Sequence, residues 1–329
     1  MPIIPDKLKK GDEIRVIAPS RSLKIISKSN QKLAEDILKD MGFRVSYGMH
    51  VHEMDLMSSS SVESRLSDLH NAFRDKNVKA ILAVIGGSNA NQLLNEIDYD
   101  LIKNNPKIFC GFSDITSLGN AIYSQIGLVT YSGPHFSTFA MQKGNDYTIE
   151  YFKNILLGED PVKVAPSLLW SDDAWFSDQK NRQFHAQEGY WVIREGVAEG
   201  TIIGGNLSTF QLLHGTSFMP DLKDKILFIE ADAITQGFDD AEFDRDLQSL
   251  LHQPYANSLK AIVIGRFEGK FSMTREKLTY IISTKKELGN IPIIANIDFG
   301  HTMPIFTFPI GGKCRINAIS AGVDIELKG

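Results

Sequence analysis

Along the first half of the chain the spacing of apolar residues alternates between strand and helix periods. Glu13–Pro19 (EIRVIAP), Phe43–Tyr47, Ala80–Ile85 (AILAVI) and Lys107–Gly111 are short runs of strand length. AILAVI is continuously apolar, as a parallel strand buried on both faces must be. Lys32–Met41 (KLAEDILKDM) is an amphipathic helix that ends near Gly42. A second helix opens at Ser60, with Glu63 three residues on as a capping box, and continues with Leu66, Leu69 and Phe73 at spacings of three and four. This strand–helix rhythm predicts an α/β fold: a parallel sheet with helices on both faces.

The pattern changes around Pro161–Pro166, which places one domain at 1–165 and a second at 166–329. Ser167–Glu188 is polar, has no period, and holds Trp170 and Trp175, two of the chain's three tryptophans. It reads as a long loop or a passage into the second domain, and loops of that length are often functional. Strand-like runs follow at Gly196–Ile203, Ile226–Glu230, Ala261–Ile264 and Pro292–Asn296, separated by helical runs that include Asp239–Leu251 and Arg275–Leu288. The second domain is therefore expected to be mixed α and β.

Composition narrows the field. The 329 residues exceed the usual span of one domain, about 100–200 residues, and 43% are apolar, so core size is not limiting. A net charge of -5 argues against nucleic acid as the main partner, because phosphate binding needs a basic face. Cys110 and Cys314 both lie in apolar strand-like runs and read as buried thiols, with no disulfide or metal-ligand spacing. No signal-peptide pattern and no run near about 18 apolar residues is found, so a cytoplasmic location without membrane contact is expected.

Four places follow directly on a predicted strand, where active sites of α/β sheets assemble. Gly111-Phe112-Ser113-Asp114 joins a strand to a helix bearing Ile115, Leu118, Ile122 and Ile126 on one face, the geometry of a nucleophile elbow. Ile115 replaces the second glycine of G-x-S-x-G, and Ser113 or Asp114 can also be read as a plain helix cap. Gly86-Gly87 makes a second strand-to-helix turn. Its backbone N–H, with that of Asp114, can form an oxyanion hole, or the turn is simply tight. The absence of G-x-G-x-x-G here and at Gly204-Gly205 disfavours a dinucleotide cofactor. Glu230 ends ILFIE, where a carboxylate can orient a histidine or merely end a strand. His301 follows Gly300 at a strand end, suited to a general base; the seven other histidines have weaker contexts.

At these residues the sequence resembles the muramoyltetrapeptide LD-carboxypeptidase family of serine peptidases. The resemblance rests on Gly86-Gly87, Pro106-Lys107, GFSDIT at Gly111–Thr116, GGNLS at Gly204–Ser208, Leu227–Glu230, Gly300-His301 and Pro309–Gly311, in order along nearly the whole chain. It implies a triad of Ser113, Glu230 and His301; the expected mechanism takes its oxyanion donors from the N–H groups of Gly87 and Asp114 and needs no metal or organic cofactor. It implies a Rossmann-like or glutamine-amidotransferase-like first domain, a barrel-like second domain, a cleft between them, and a homodimer. Cell-wall members resemble R-G-G-Y-G-x-x-R-L-L at the first glycine turn, whereas this chain reads I-G-G-S-N-A-N-Q-L-L, with Ile85 and Gln92 at the arginine positions. That pattern and the WSDDAW segment look more like the microcin C self-immunity branch, which acts on aminoacyl-nucleotide mimics. Gly86, Ser88, Asn89, Trp170 and Trp175 are the substrate-contact candidates. A short peptide is the alternative substrate. A glutaminase or a non-catalytic binding protein on the same fold are the rival classes.

Overall fold

Continuous apolar runs bounded by Gly, Pro and Asn become buried strands. In the computed structural model, which describes residues 2–232 and 239–329, the first half holds β1 (Glu13–Ile17), β2 (Arg44–Tyr47), β3 (Val78–Ala83), β4 (Ile108–Cys110) and β5 (Thr130–Ser132). They pair in parallel in the order β2-β1-β3-β4-β5. This doubly wound order opens a crevice at the carboxyl ends of the strands. The helices of this half are α1 (Lys28–Asp40), α2 (Val62–Arg74), α3 (Tyr99–Lys103), α4 (Ile115–Ile126) and α5 (Asp146–Leu156).

Two helix starts differ from expectation. α1 begins at Lys28 rather than Lys32, because the Ser27 side chain accepts the Asn30 N–H and caps a first turn that has no apolar residue to announce it. α2 is capped by Ser61, which accepts the Ser64 N–H, so the expected Ser60–Glu63 box is out by one residue. Ser60 is instead buried.

The second half comprises β6 (Val162–Val164), β7 (Leu169–Trp170), β8 (His185–Ala186), β9 (Trp191–Arg194), β10 (Gly196–Asn206), α6 (Leu207–Gln211), β11 (Lys225–Glu230), α7 (Asp239–Leu251), β12 (Ala261–Gly265), α8 (Arg275–Ser283), β13 (Ile293–Ile297), β14 (Phe308–Ile310), β15 (Lys313–Ile319) and β16 (Gly322–Lys328). α8 is shorter than predicted; Lys286–Leu288 form a separate 3-10 turn. An eight-stranded sheet runs β6-β16-β15-β10-β11-β12-β13-β9, with β10 to β13 parallel and the flanks antiparallel. The sheet curls: Val192 and Ile193 of β9 and the turn Ser320–Val323 line one cavity of about 570 Å³. No ladder joins β6 to β9 among the described residues.

The two halves are stitched together. β14 leaves its neighbours in the chain and pairs antiparallel with β5 in the first sheet, Phe308 opposite Ser132 and Ile310 opposite Thr130. From α4, Thr116 Oγ1 accepts the Asn206 N–H at 3.1 Å, and the Asn120 amide bonds both the N–H and the carbonyl of Gly204. Both apolar cores draw on both sheets; one joins Ile81, Phe109 and Leu118 to Leu227, Ile229 and Ile262. No helix among the described residues is long and apolar enough to cross a membrane.

Candidate active site

β4 ends at Cys110 and α4 begins at Ile115, so four residues must reverse the chain. Ser113 sits at their apex with φ +59°, a left-handed conformation that non-glycine residues rarely adopt. Holding it costs about 1–3 kcal/mol and requires fixed surroundings. The turn after β3 supplies part of them. A Cβ on Gly86 would lie 2.9 Å from both Cβ and Oγ of Ser113, so only glycine lets that backbone lie against the hydroxyl. Gly87 lies instead on Ser20, whose Oγ a Cβ there would meet at 2.2 Å.

A buried carboxylate ties these loops together. Asp114 accepts the Ser20 hydroxyl at 2.6 Å, the Asn89 N–H at 3.0 Å and the Ala90 N–H at 2.9 Å. Arg65, buried although it lies on α2, donates to the carbonyls of Pro19 and Asn89 and to Gln92 Oε1. The loops after β1, β3 and β4 are thus cross-braced by side chains. Ser88 stands exposed at the tip of the glycine turn, and Asn89 has both its N–H and its C=O bonded within the protein. Among the described residues, neither the Gly87 nor the Asp114 N–H has a protein partner.

The second sheet brings the other groups. Glu230 is the last residue of β11 and is buried. Its Oε2 lies 2.8 Å from His301 Nδ1, and His301 Nε2 lies 3.1 Å from Ser113 Oγ. Gly300, at φ +107°, has no room for a side chain: a Cβ would meet the Glu230 Cβ at 2.8 Å. The His301 side chain is 22% exposed. Burial opposes its charged form, but Glu230, with Asp232 and Glu268, outweighs that and pushes its pKa up to about 9. Glu230 Oε1 has no hydrogen-bond partner among the described residues. Asn206, beside Glu230 in the ladder, donates its amide to Asp232 at 2.8 Å.

The tryptophan segment is anchored by polar bonds. Asp298 accepts the N–H and hydroxyl of Ser167, Gln187 Nε2 and the Tyr190 hydroxyl, and pairs with Arg266 at 2.7 Å. Ser171 and Met303, two residues past His301, exchange backbone hydrogen bonds at 2.7 Å. Trp170 lies against His185 with ring centres 4.6 Å apart and planes tilted by 35°, and the Arg266 guanidinium is 5.2 Å from its ring centre. Trp175 is half-buried and packs against an apolar core. Cys110 is buried and burial pushes its thiol up, away from nucleophilic use. Among the described residues no group of three or more His, Cys, Asp or Glu can hold a metal ion.

Sequence reasoning missed Ser20, Arg65, His135 and Asp298. His135 lies behind the elbow, its ring stacked on Phe112 at 4.2 Å. It follows β5 as Ser113 follows β4, so the strand-end rule itself pointed to it. Chemically, the assembly offers a hydroxyl, an imidazole and a carboxylate in one hydrogen-bonded line, within the 2.6–3.2 Å reach that such relays need.

Comparison with known proteins adds independent findings. Family models described as LD-carboxypeptidase N-terminal domain and LD-carboxypeptidase C-terminal domain match residues 14–133 and 199–316. YocD of Bacillus subtilis, which carries a carboxypeptidase name, is 55% identical over 95% of this chain and 96% of its own length. A B. subtilis protein named as a murein peptide carboxypeptidase is 31% identical, covering 98% of this chain and 94% of that one. The microcin C7 self-immunity protein MccF of Escherichia coli is 29% identical, covering 98% and 96%. Among solved structures, an MccF-like protein from Bacillus anthracis superposes with a TM-score of 0.98 at 54% identity, covering 99% of each chain. MccF in complex with glutamyl sulfamoyl guanosine gives 0.87 at 27% identity, covering 100% of this chain and 99% of that one.

Proposed function

The chain belongs to the LD-carboxypeptidase family, and from that premise we propose that it is a serine carboxypeptidase that cuts the amide-type bond between an aminoacyl group and a nucleotide mimic. The observation that carries the reading is the Ser113–His301–Glu230 line at a strand–turn–helix elbow, with spacings of 3.1 and 2.8 Å. Ser113 Oγ attacks the aminoacyl carbonyl while His301 Nε2 takes its proton. Glu230 holds the proton on Nδ1 and stabilises the imidazolium. The unbonded N–H groups of Gly87 and Asp114 receive the oxyanion. His301 returns the proton to the leaving nitrogen as the carbonyl–nitrogen bond breaks, and water, activated in the same way, releases the amino acid from Ser113.

The substrate class is supported by two features. MccF is known with aspartyl sulfamoyl adenosine and glutamyl sulfamoyl guanosine bound. At the position where the cell-wall pattern has an arginine, this chain has Ile85, which lacks the forked donors suited to a peptide's carboxylate. Trp175 is the candidate for stacking on the base; its ring meets Phe176 edge-on with centres 6.0 Å apart, whereas Trp170 lies between His185 and Arg266. A second reading, release of D-alanine from a muramoyl tetrapeptide, is favoured by the 31% likeness to the murein peptide carboxypeptidase.

A hydrolysis assay offering an aminoacyl-sulfamoyl adenylate beside a muramoyl tetrapeptide tests the proposal. Ser113→Ala should lose about 10⁶ in kcat on the preferred substrate. The adenylate should be preferred, and Trp175→Ala should raise KM for it with kcat little changed. Efficient release of D-alanine with no turnover of the adenylate would move the protein to the second reading.

A further inference from the structure

Directly behind the elbow lies a fully enclosed imidazole that the reaction above does not use. We propose that His135 is a positioning residue for the nucleophile, acting through Phe112; the inference rests on the serine-hydrolase reading. After β5 the chain turns through Gly133 and Pro134 and carries His135 under the elbow, where it is 3% exposed. Its Nε2 lies 2.9 Å from the Phe112 carbonyl oxygen and 3.2 Å from the Phe112 nitrogen. One ring nitrogen thus meets both polar groups of the residue that precedes Ser113. In one tautomer Nε2–H donates to the carbonyl; in the other Nε2 accepts the N–H.

The side chains repeat the grip. The His135 ring stacks on Phe112 with centres 4.2 Å apart and planes at 22°. The Phe112 ring stands edge-on to His301 at 5.5 Å and 61°. Phe112 is therefore held by His135 on its backbone and one face, and in turn supports the base. The next residue is the strained Ser113, and a strained nucleophile keeps its aim only if its neighbours cannot relax. Burial pulls the His135 pKa down to about 3, and the nearby His301 charge adds to that. Among the described residues the polar contacts of His135 Nε2 are to Phe112, while Ser113 Oγ bonds His301, so His135 is a brace and not a second base.

Two substitutions separate the brace from simple packing. His135→Phe keeps a flat ring on Phe112 and removes the polar contacts. His135→Gln brings an amide to the reach of Nε2 and removes the ring. The phenylalanine variant should lose about ten- to hundredfold in kcat, since a misplaced reacting group costs that much. Its KM should stay within about twofold, because substrate binding is untouched. The glutamine variant should recover most of the loss. If the phenylalanine variant does not fold, His135→Asn takes its place: its shorter amide cannot reach Phe112, so it should be poor where glutamine is good. Wild-type kcat in the phenylalanine variant, a loss that falls on KM, or a glutamine variant no better than the phenylalanine or asparagine variant would overturn the proposal. Ser113→Ala belongs in the same series. If it stays active, the serine reading itself fails. If it is dead while His135→Phe turns over normally, only the brace is wrong.

Discussion

As the proposed base, His301 must be neutral to take a proton, yet its surroundings favour the imidazolium, with a pKa raised from 6.5 to about 9. Two measurements should therefore move in opposite directions with pH. kcat/KM should climb from neutrality and level off above about pH 9, as the free enzyme gives up that proton. The stability contributed by the pair runs the other way. A folded-state pKa above the unfolded one gives stabilisation that is complete below about 6.5 and is lost as the pH rises through about 9. Lys107, whose buried ammonium is pulled down to about 8, contributes the opposite sign over an overlapping range. The informative quantity is thus the difference in Tm between wild type and His301→Gln, which should shrink from pH 6.5 to 9. A flat difference, with kcat/KM already at its plateau at pH 7, would mean that Glu230 does not govern the base. The residues of this line were legible because each ends a strand or follows one. Arg65 was not. A charged residue on a helix reads as solvent-facing, and only the fold reveals that its donors are spent on the carbonyls of Pro19 and Asn89.

At the scale of elements, the site depends on loops that hold one another. The Asp114 carboxylate takes three donors from the loops after β1 and β3. One carboxylate oxygen accepts all three, so Asp114→Asn can keep them with its amide oxygen, whereas Asp114→Ala removes the acceptor and leaves buried donors unpaired. The expected cost of the alanine change is about 2–3 kcal/mol, with a fall in kcat as the glycine turn drifts from Ser113. Urea unfolding and steady-state rates check this together; wild-type values in both would remove Asp114 as the brace. Elements with apolar periods were readable from sequence, and Asp239–Leu251 is a helix with the predicted bounds. The segment from Ser167 to Glu188 had no period to read because its anchors are hydrogen bonds to Asp298 and a backbone bridge to Met303. Polar anchoring leaves no repeat in the sequence.

At the scale of the molecule, α/β character and a parallel first sheet followed from the alternation of periods. The link between the halves did not. Three residues, Phe308–Ile310, cross back to pair with β5, and a run so short, with a proline in it, carries no mark of its distant partner. Thr116 and Asn120 likewise look like ordinary helix residues until β10 lies against them.

The return of β14 has a consequence for how the chain is made. Synthesis runs from the N-terminus, so β5 leaves the ribosome long before the strand that covers its edge exists. At about 5–20 residues per second, the nascent first sheet waits on the order of ten seconds with one side open, and open edges invite pairing with other chains. During that interval α4 also lacks β10, the partner of Thr116 and Asn120. The elbow should therefore reach its final form only near the end of translation. Residues 2–165 expressed alone should be insoluble or chaperone-bound, and soluble when residues 166–329 are supplied in the same cell. A first fragment that stays soluble and monomeric by itself would show that the late strand is dispensable for closing the sheet.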